Sequence, residues 1–120
     1  MSINVVDSNL EIKGTGGDAI GNNNFGIHLD NNSKAEATGF GSIIMNGQGG
    51  EKFDNNSGIV LDSNMQIVTA GGGINLTGQG GGINRNNIGV DFKGPVTLTD
   101  SADGVISING TGAPIPGATN

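Results

Sequence analysis

The chain has 120 residues, of which 24 are glycine and 13% are charged; it has no cysteine, tryptophan or tyrosine, and its formal net charge is −6. This composition excludes disulfides, thiol chemistry and cysteine-ligated metals, and the five basic residues, Lys13, Lys34, Lys52, Arg85 and Lys93, are scattered singly, which argues against nucleic acid as a partner. No apolar stretch is long enough to span a bilayer, so no membrane insertion is expected, and Met1 to Asp7 lack the basic and apolar regions of a signal peptide.

In chain order, Ile3 and Val5 fit the start of a strand, and Leu10/Ile12 alternate next, ahead of Gly14-Thr15-Gly16-Gly17. Asn22-Asn23-Asn24 leads into Gly26-Ile27-His28-Leu29-Asp30, where Ile27 and Leu29 share one face and His28 takes the other. A weaker alternation, Ala35/Ala37, precedes Ile43/Met45 and Gly47-Gln48-Gly49-Gly50. The series then returns as Asn55-Asn56, Gly58-Ile59-Val60-Leu61-Asp62, Met65/Ile67, Ile74/Leu76 and Gly78-Gln79-Gly80-Gly81. A third passage runs through Asn86-Asn87, Gly89-Val90-Asp91-Phe92, Val96/Leu98, Ile106/Ile108 and Gly110-Thr111-Gly112-Ala113.

The returns are regular. Gly26 and Gly58 lie 32 residues apart and Gly58 and Gly89 lie 31 apart, while Gly14, Gly47, Gly78 and Gly110 follow at 33, 31 and 32. A fixed period of this length indicates a solenoid. Disorder, the other reading of so glycine-rich a composition, does not require apolar residues to return in phase. Helix is excluded by the absence of an i, i+3, i+4 pattern and by glycine every few residues, each costing about 1 kcal/mol relative to alanine.

The expected fold is therefore all-β, a β-solenoid of about four coils with a repeat of 31–33 residues and three strands per unit. The repeats cover residues 1–113, with approximate units 1–21, 22–54, 55–85 and 86–113, and residues 114–120 form an extended C-terminal tail. Stacked about 4.8 Å apart, the coils align four core columns: Ile27/Ile59/Val90, Leu29/Leu61/Phe92, Ile43/Ile74/Ile106 and Met45/Leu76/Ile108. Gly47, Gly78 and Gly110 are read as structural turns permitting positive φ, and the asparagines as left-handed residues able to form ladders between coils. Gly58-Ile59-Val60-Leu61 also resembles Gly73-Ile74-Asn75-Leu76, 15 residues on, so coils of half the unit stay open as an alternative.

The unit N-x-x-G-I-x-L followed by I-x-L-x-G-x-G-G, traced from Leu10 to Ala113, resembles the β-strand repeats of filamentous-haemagglutinin-like and autotransporter-type β-helix exoproteins. The resemblance implies a right-handed parallel β-helix that serves as a stalk, adhesin or matrix fibre, bacterial and extracellular or on the cell surface. It offers no catalytic residues. About four coils form a short stack with strand edges open at both ends, so the expected partners are copies of itself or adjacent repeats, joined end to end.

Other chemistry is weaker. The single histidine, His28, reads as a solvated surface residue. Asp30, Asp54, Asp62, Asp100 and Asp103 lie near turns and offer oxygen atoms to Ca²⁺, and Asp18 follows a glycine cluster partly matching a calcium-binding nonapeptide; Asp18, Asp54 and Asp62 are the weak calcium candidates, and no other cofactor is expected. The glycine clusters lack the Gly-Lys-Ser/Thr of a phosphate loop. No carboxylate pair suggests glycoside cleavage, and the chain reads as not an enzyme. Outward rows of Thr, Ser, Asn and Gln leave glycans as possible ligands, so the alternative is a carbohydrate-binding β-helix module or a fragment of a polysaccharide-processing β-helix protein.

Overall fold

A computed structural model describes residues 1–18, 20–83 and 85–113 of the chain; the tail expected at residues 114–120 lies outside the described residues. The described residues hold eleven strands and no helix. They are β1 (Ser2–Val6), β2 (Leu10–Thr15), β3 (Ile27–Leu29), β4 (Lys34–Thr38), β5 (Ile43–Gln48), β6 (Ile59–Leu61), β7 (Met65–Thr69), β8 (Ile74–Gln79), β9 (Val90–Phe92), β10 (Val96–Asp100) and β11 (Ile106–Thr111). Every third strand pairs in parallel, giving sheet A in the order β1-β4-β7-β10, sheet B in the order β2-β5-β8-β11 and sheet C in the order β3-β6-β9. The architecture is a parallel β-solenoid. The coil count is lower than expected from the repeats: β1 to β9 make three complete turns, and β10 and β11 begin a fourth.

The register follows the sequence period. Ile27 pairs with Ile59 and Ile59 with Val90, while Leu29 pairs with Leu61 and Leu61 with Phe92. In sheet B, Ile43 pairs with Ile74 and Ile74 with Ile106, and Met45, Leu76 and Ile108 stack in the same way. Ile59 therefore stacks on residues a full unit away rather than on Ile74, and one coil takes the whole unit. The weak middle segment forms sheet A with Ala35 opposite Ile67 and Ala37 opposite Thr69, two residues along from a match of Ala35 with Met65. Ile3 and Val5 supply the first copy of those rows, opposite Ala35 and Ala37.

The inward rows of the three sheets meet in one cluster, with Ile43, Met45, Ile59, Leu61, Ile67 and Leu76 fully buried. Each such side chain contributes about 1.5–3 kcal/mol through removal of apolar surface from water. The columns are not buried along their whole length. Val90 is only half-buried, and Phe92, Ile106 and Ile108 are 42%, 41% and 46% exposed, because they belong to the last strand of their sheet and nothing among the described residues stacks above them. Their place in the columns holds; their burial does not.

The turn residues divide into two chemistries. Positive φ falls on asparagine in two stacked positions: Asn23, Asn55 and Asn86 at φ of 68°, 56° and 58°, and Asn32 and Asn64 at 59° and 61°. Asparagine tolerates this region better than other residues with a Cβ. The neighbouring Asn24, Asn56 and Asn87 build a ladder, in which the Asn56 Oδ1 accepts from the Asn24 N–H at 2.8 Å and the Asn87 Oδ1 accepts from the Asn56 N–H at 2.8 Å. Asn56 and Asn87 are buried, so the second of these bonds satisfies a main-chain donor, the Asn56 N–H, that water does not reach.

Gly47, Gly78 and Gly110 do not fit the reading as positive-φ turns. They lie inside β5, β8 and β11, and none is among the residues with positive φ. Their role is close approach: a Cβ on Gly47 would overlap the Gly58 carbonyl oxygen, and one on Gly78 would overlap that of Gly89. At Gly110 the nearest atom is the Val90 N, at 3.0 Å. Sheets B and C meet at a seam where glycine faces glycine.

Candidate functional site

Sheet C carries one concentration of ionisable groups on its outer side. The strands are three residues long, so in β3 the inward Ile27 and Leu29 leave His28 pointing out, and in β6 the equivalent outward residue is Val60. Past the strand ends come Asp30 and, one coil on, Asp62. Asp62 is held to the first coil by its backbone N–H, which donates to the Leu29 carbonyl at 3.0 Å. The His28 Nε2 lies 2.9 Å from Asp62 Oδ2 and 3.6 Å from Asp30 Oδ1. The Phe25 ring packs edge-on against the imidazole, with centroids 5.4 Å apart and planes at 75°. Val60, which lies between His28 and Asp91 on the outward row, is only 1% exposed, covered by the charged residues around it.

The calcium candidates are dispersed. Asp18 Oδ1 accepts from the Glu51 N–H at 3.3 Å, and Asp54 Oδ1 accepts from the Arg85 N–H at 2.8 Å, each serving as a link between consecutive coils. Only Asp62 of the three joins other donors: among the described residues, His28, Asp30 and Asp62 are the one group of three whose ligating atoms lie within 4.8 Å of one another. Asp103 is exposed.

Asp100 is a structural centre of its own. It ends β10 on the inward row that runs Ala37, Thr69, Asp100, and its carboxylate faces the corner between sheets A and B. Oδ2 accepts from the Thr69 hydroxyl at 2.7 Å and from the N–H groups of Gly73 at 3.0 Å and Gly71 at 3.1 Å; Oδ1 accepts from Ala102 and Gly104, both at 3.0 Å. The Thr69 hydroxyl first, then the Ala102, Gly104 and Gly73 N–H groups, outweigh desolvation and lower the carboxyl pKa from 3.8 to about 2. The folded value is the depressed one. The stabilisation is therefore complete above about pH 3.8 and is lost as pH falls through about 2. Asp100→Asn is expected to unfold at lower denaturant concentration than the parent at pH 7, with the gap narrowing toward pH 2; equal midpoints at pH 7 would show that the carboxylate charge is not needed.

Two shallow hollows lie on the outer side of sheet B. One, about 290 Å³, runs across three coils between Lys13, Asn46, Gln48, Thr77 and Gln79. The other, about 500 Å³, is formed at the corner by Ser42, Ile44, the Gly71–Gly73 run, Asp103 and Val105. Neither gathers paired carboxylates.

A solvated surface histidine, the expectation for His28, does not by itself indicate the pairing with Asp62. The signal was in the period, because Asp30 and Asp62 are 32 residues apart, the same interval as Ile27 and Ile59. The Asp100 network was likewise foreshadowed by phase: Val96, Leu98 and Asp100 alternate, which places Asp100 on the inward row rather than in a surface turn.

The fold and this geometry define the chain as a parallel β-solenoid with a charged cluster on its narrowest sheet. Compared with family models, curated proteins and solved structures, it matches none. No helix among the described residues is long and apolar enough to cross a membrane.

Proposed function

We propose that the chain is a non-enzymatic structural and adhesive β-solenoid segment of a bacterial extracellular surface protein or matrix filament, and that it joins copies of itself or adjacent repeats end to end. The observation that carries this reading is the state of the columns at the last strands. Phe92, Ile106 and Ile108 continue the core rows yet stand 41–46% exposed, beside the edges of β9, β10 and β11, which no strand among the described residues covers. Open edges and apolar rows are what a further coil covers. A second copy in the same register would set its β1 above β10 and its β2 above β11, while sheet C, one strand shorter, has a place for an additional strand above β9. The adhesive and extracellular parts of the reading draw on the repeat pattern and its resemblance to exoprotein repeats.

Sedimentation velocity and electron microscopy over a hundredfold range of concentration test the proposal. The expected result is growth of linear species with concentration, suppressed by Ile106→Lys with Ile108→Lys while the circular dichroism of the monomer stays β-type. A strictly monodisperse monomer throughout would overturn the stacking.

A second reading, a carbohydrate-binding module, is favoured by the polar hollow across sheet B, whose Asn46, Gln48, Thr77 and Gln79 supply amide and hydroxyl groups at the spacing of the coils. Glycan-array binding abolished by Gln48→Ala with Gln79→Ala would support it.

A further inference from the structure

We propose that His28, Asp30 and Asp62 form a binding site for a divalent transition-metal ion of the Zn²⁺ type, built across the first two coils on the outer side of sheet C. The donor set is one imidazole nitrogen and two carboxylates. Imidazole with carboxylate suits Zn²⁺, Cu²⁺ and Ni²⁺, whereas Ca²⁺ requires six to eight oxygen ligands. The spacing fits as well. Ligands at about 2.0–2.2 Å around a tetrahedral Zn²⁺ stand roughly 3.3 Å from one another, and the His28 Nε2 lies 2.9 Å from Asp62 Oδ2 and 3.6 Å from Asp30 Oδ1. An ion entering the cluster takes the place of the proton between Nε2 and Asp62 Oδ2, with small movements of exposed side chains.

Two further observations separate this cluster from an ordinary patch of surface acids. The first is charge: among the described residues, Asp30 and Asp62 have ion-pair contacts with His28 alone, so two carboxylates share one imidazole. One coil on, the same two outward rows end in Asp91 and Lys93, and there the Lys93 Nζ sits 2.6 Å from Asp91 Oδ2. The chain thus places its own cation against the carboxylate at one level of the rows, and none of its lysines or arginines at the level of Asp30 and Asp62. The second is rigidity. His28 is inside a paired strand with the Phe25 ring against it, and Asp62 is tied to Leu29 by its main chain, so the imidazole and the backbone that carries the Asp62 carboxylate are in place before any ion arrives, and the exposed Asp30 side chain closes on it.

The test is titration of the metal-free chain with ZnCl₂ in a non-coordinating buffer, read by calorimetry and by the proton resonances of the imidazole, which belong to one residue because the chain has one histidine. Saturable binding of one Zn²⁺ per chain, with the His28 resonances moving in step, is expected. His28→Ala and Asp62→Asn are each expected to weaken binding at least about tenfold, since even outer-sphere partners of metal ligands are worth 10–100-fold. Both variants are expected to keep the parent's circular dichroism, and an excess of CaCl₂ is expected not to displace Zn²⁺. Unchanged affinity in His28→Ala, no movement of the His28 resonances, or displacement by Ca²⁺ would overturn the assignment.

Discussion

Ile59→Asp is expected to abolish folding. Ile59 has no solvent exposure and stands at the middle of its column, with Ile27 on one side and Val90 on the other. A carboxylate there loses its hydration without gaining a partner, and an unpaired buried charge costs several kcal/mol, a large share of the 5–15 kcal/mol that holds a domain of this size together. Protonation of the new side chain would lessen the cost and still leave a polar group in an apolar row. Ile59→Ala offers a graded comparison, with an expected loss of about 2–5 kcal/mol from the cavity. His28→Ala, on the opposite side of the same sheet, is expected to leave stability within about 0.5 kcal/mol. Circular dichroism and urea denaturation of the three variants check the series, and equal tolerance at positions 28 and 59 would invalidate the register.

Gly47→Ala and Gly78→Ala are expected to be nearly as damaging, for a reason that involves neither φ nor helix propensity. At both positions the added methyl would occupy the place of a main-chain carbonyl oxygen, that of Gly58 or Gly89, and these carbonyls, which accept from the Ile27 and Ile59 N–H groups of the neighbouring coil at 2.9 Å, cannot swing aside as a side chain can. Sheets B and C must separate along the seam or the ladder must break, and either outcome exceeds the 1–3 kcal/mol typical of overpacking in a core. Gly17→Ala is the control. A Cβ there meets nothing within 4 Å, so the same chemical change is expected to be silent. Thermal melts that fall by a similar amount for all three variants would show that the close approach at the seam is not what requires glycine at positions 47 and 78, since the chain-entropy effect of Gly→Ala on its own raises stability.

The contrast between these two sets of residues explains what the amino-acid sequence discloses and what it leaves hidden. Ile59 was legible because apolar side chains recur with a fixed phase, and phase translates directly into which residues share a column. Gly47 was legible as a repeated position but not in its role: a one-dimensional pattern does not distinguish a glycine that turns the chain from one that lets two backbones touch. The exposure of Phe92, Ile106 and Ile108 is equally invisible to periodicity, which assigns a row but not what lies above it. His28, Asp30 and Asp62 show the same limit from the side of chemistry, since the period aligns Asp30 with Asp62 while only the folded coil brings the imidazole within 2.9 Å of a carboxylate.

The strands themselves hold constant lengths, five residues in sheet A, six in sheet B and three in sheet C, in every turn. The connections do not: from sheet A to sheet B the chain takes residues 7–9, then 39–42, then 70–73, then 101–105, and from sheet B to sheet C residues 16–26, then 49–58, then 80–89. All of the scatter between 31 and 33 in the repeat is thus confined to the corners, and no column shifts when a corner gains or loses a residue. A corner can accordingly lengthen or shorten while the three sheets keep their register, so one framework accommodates loops of differing length.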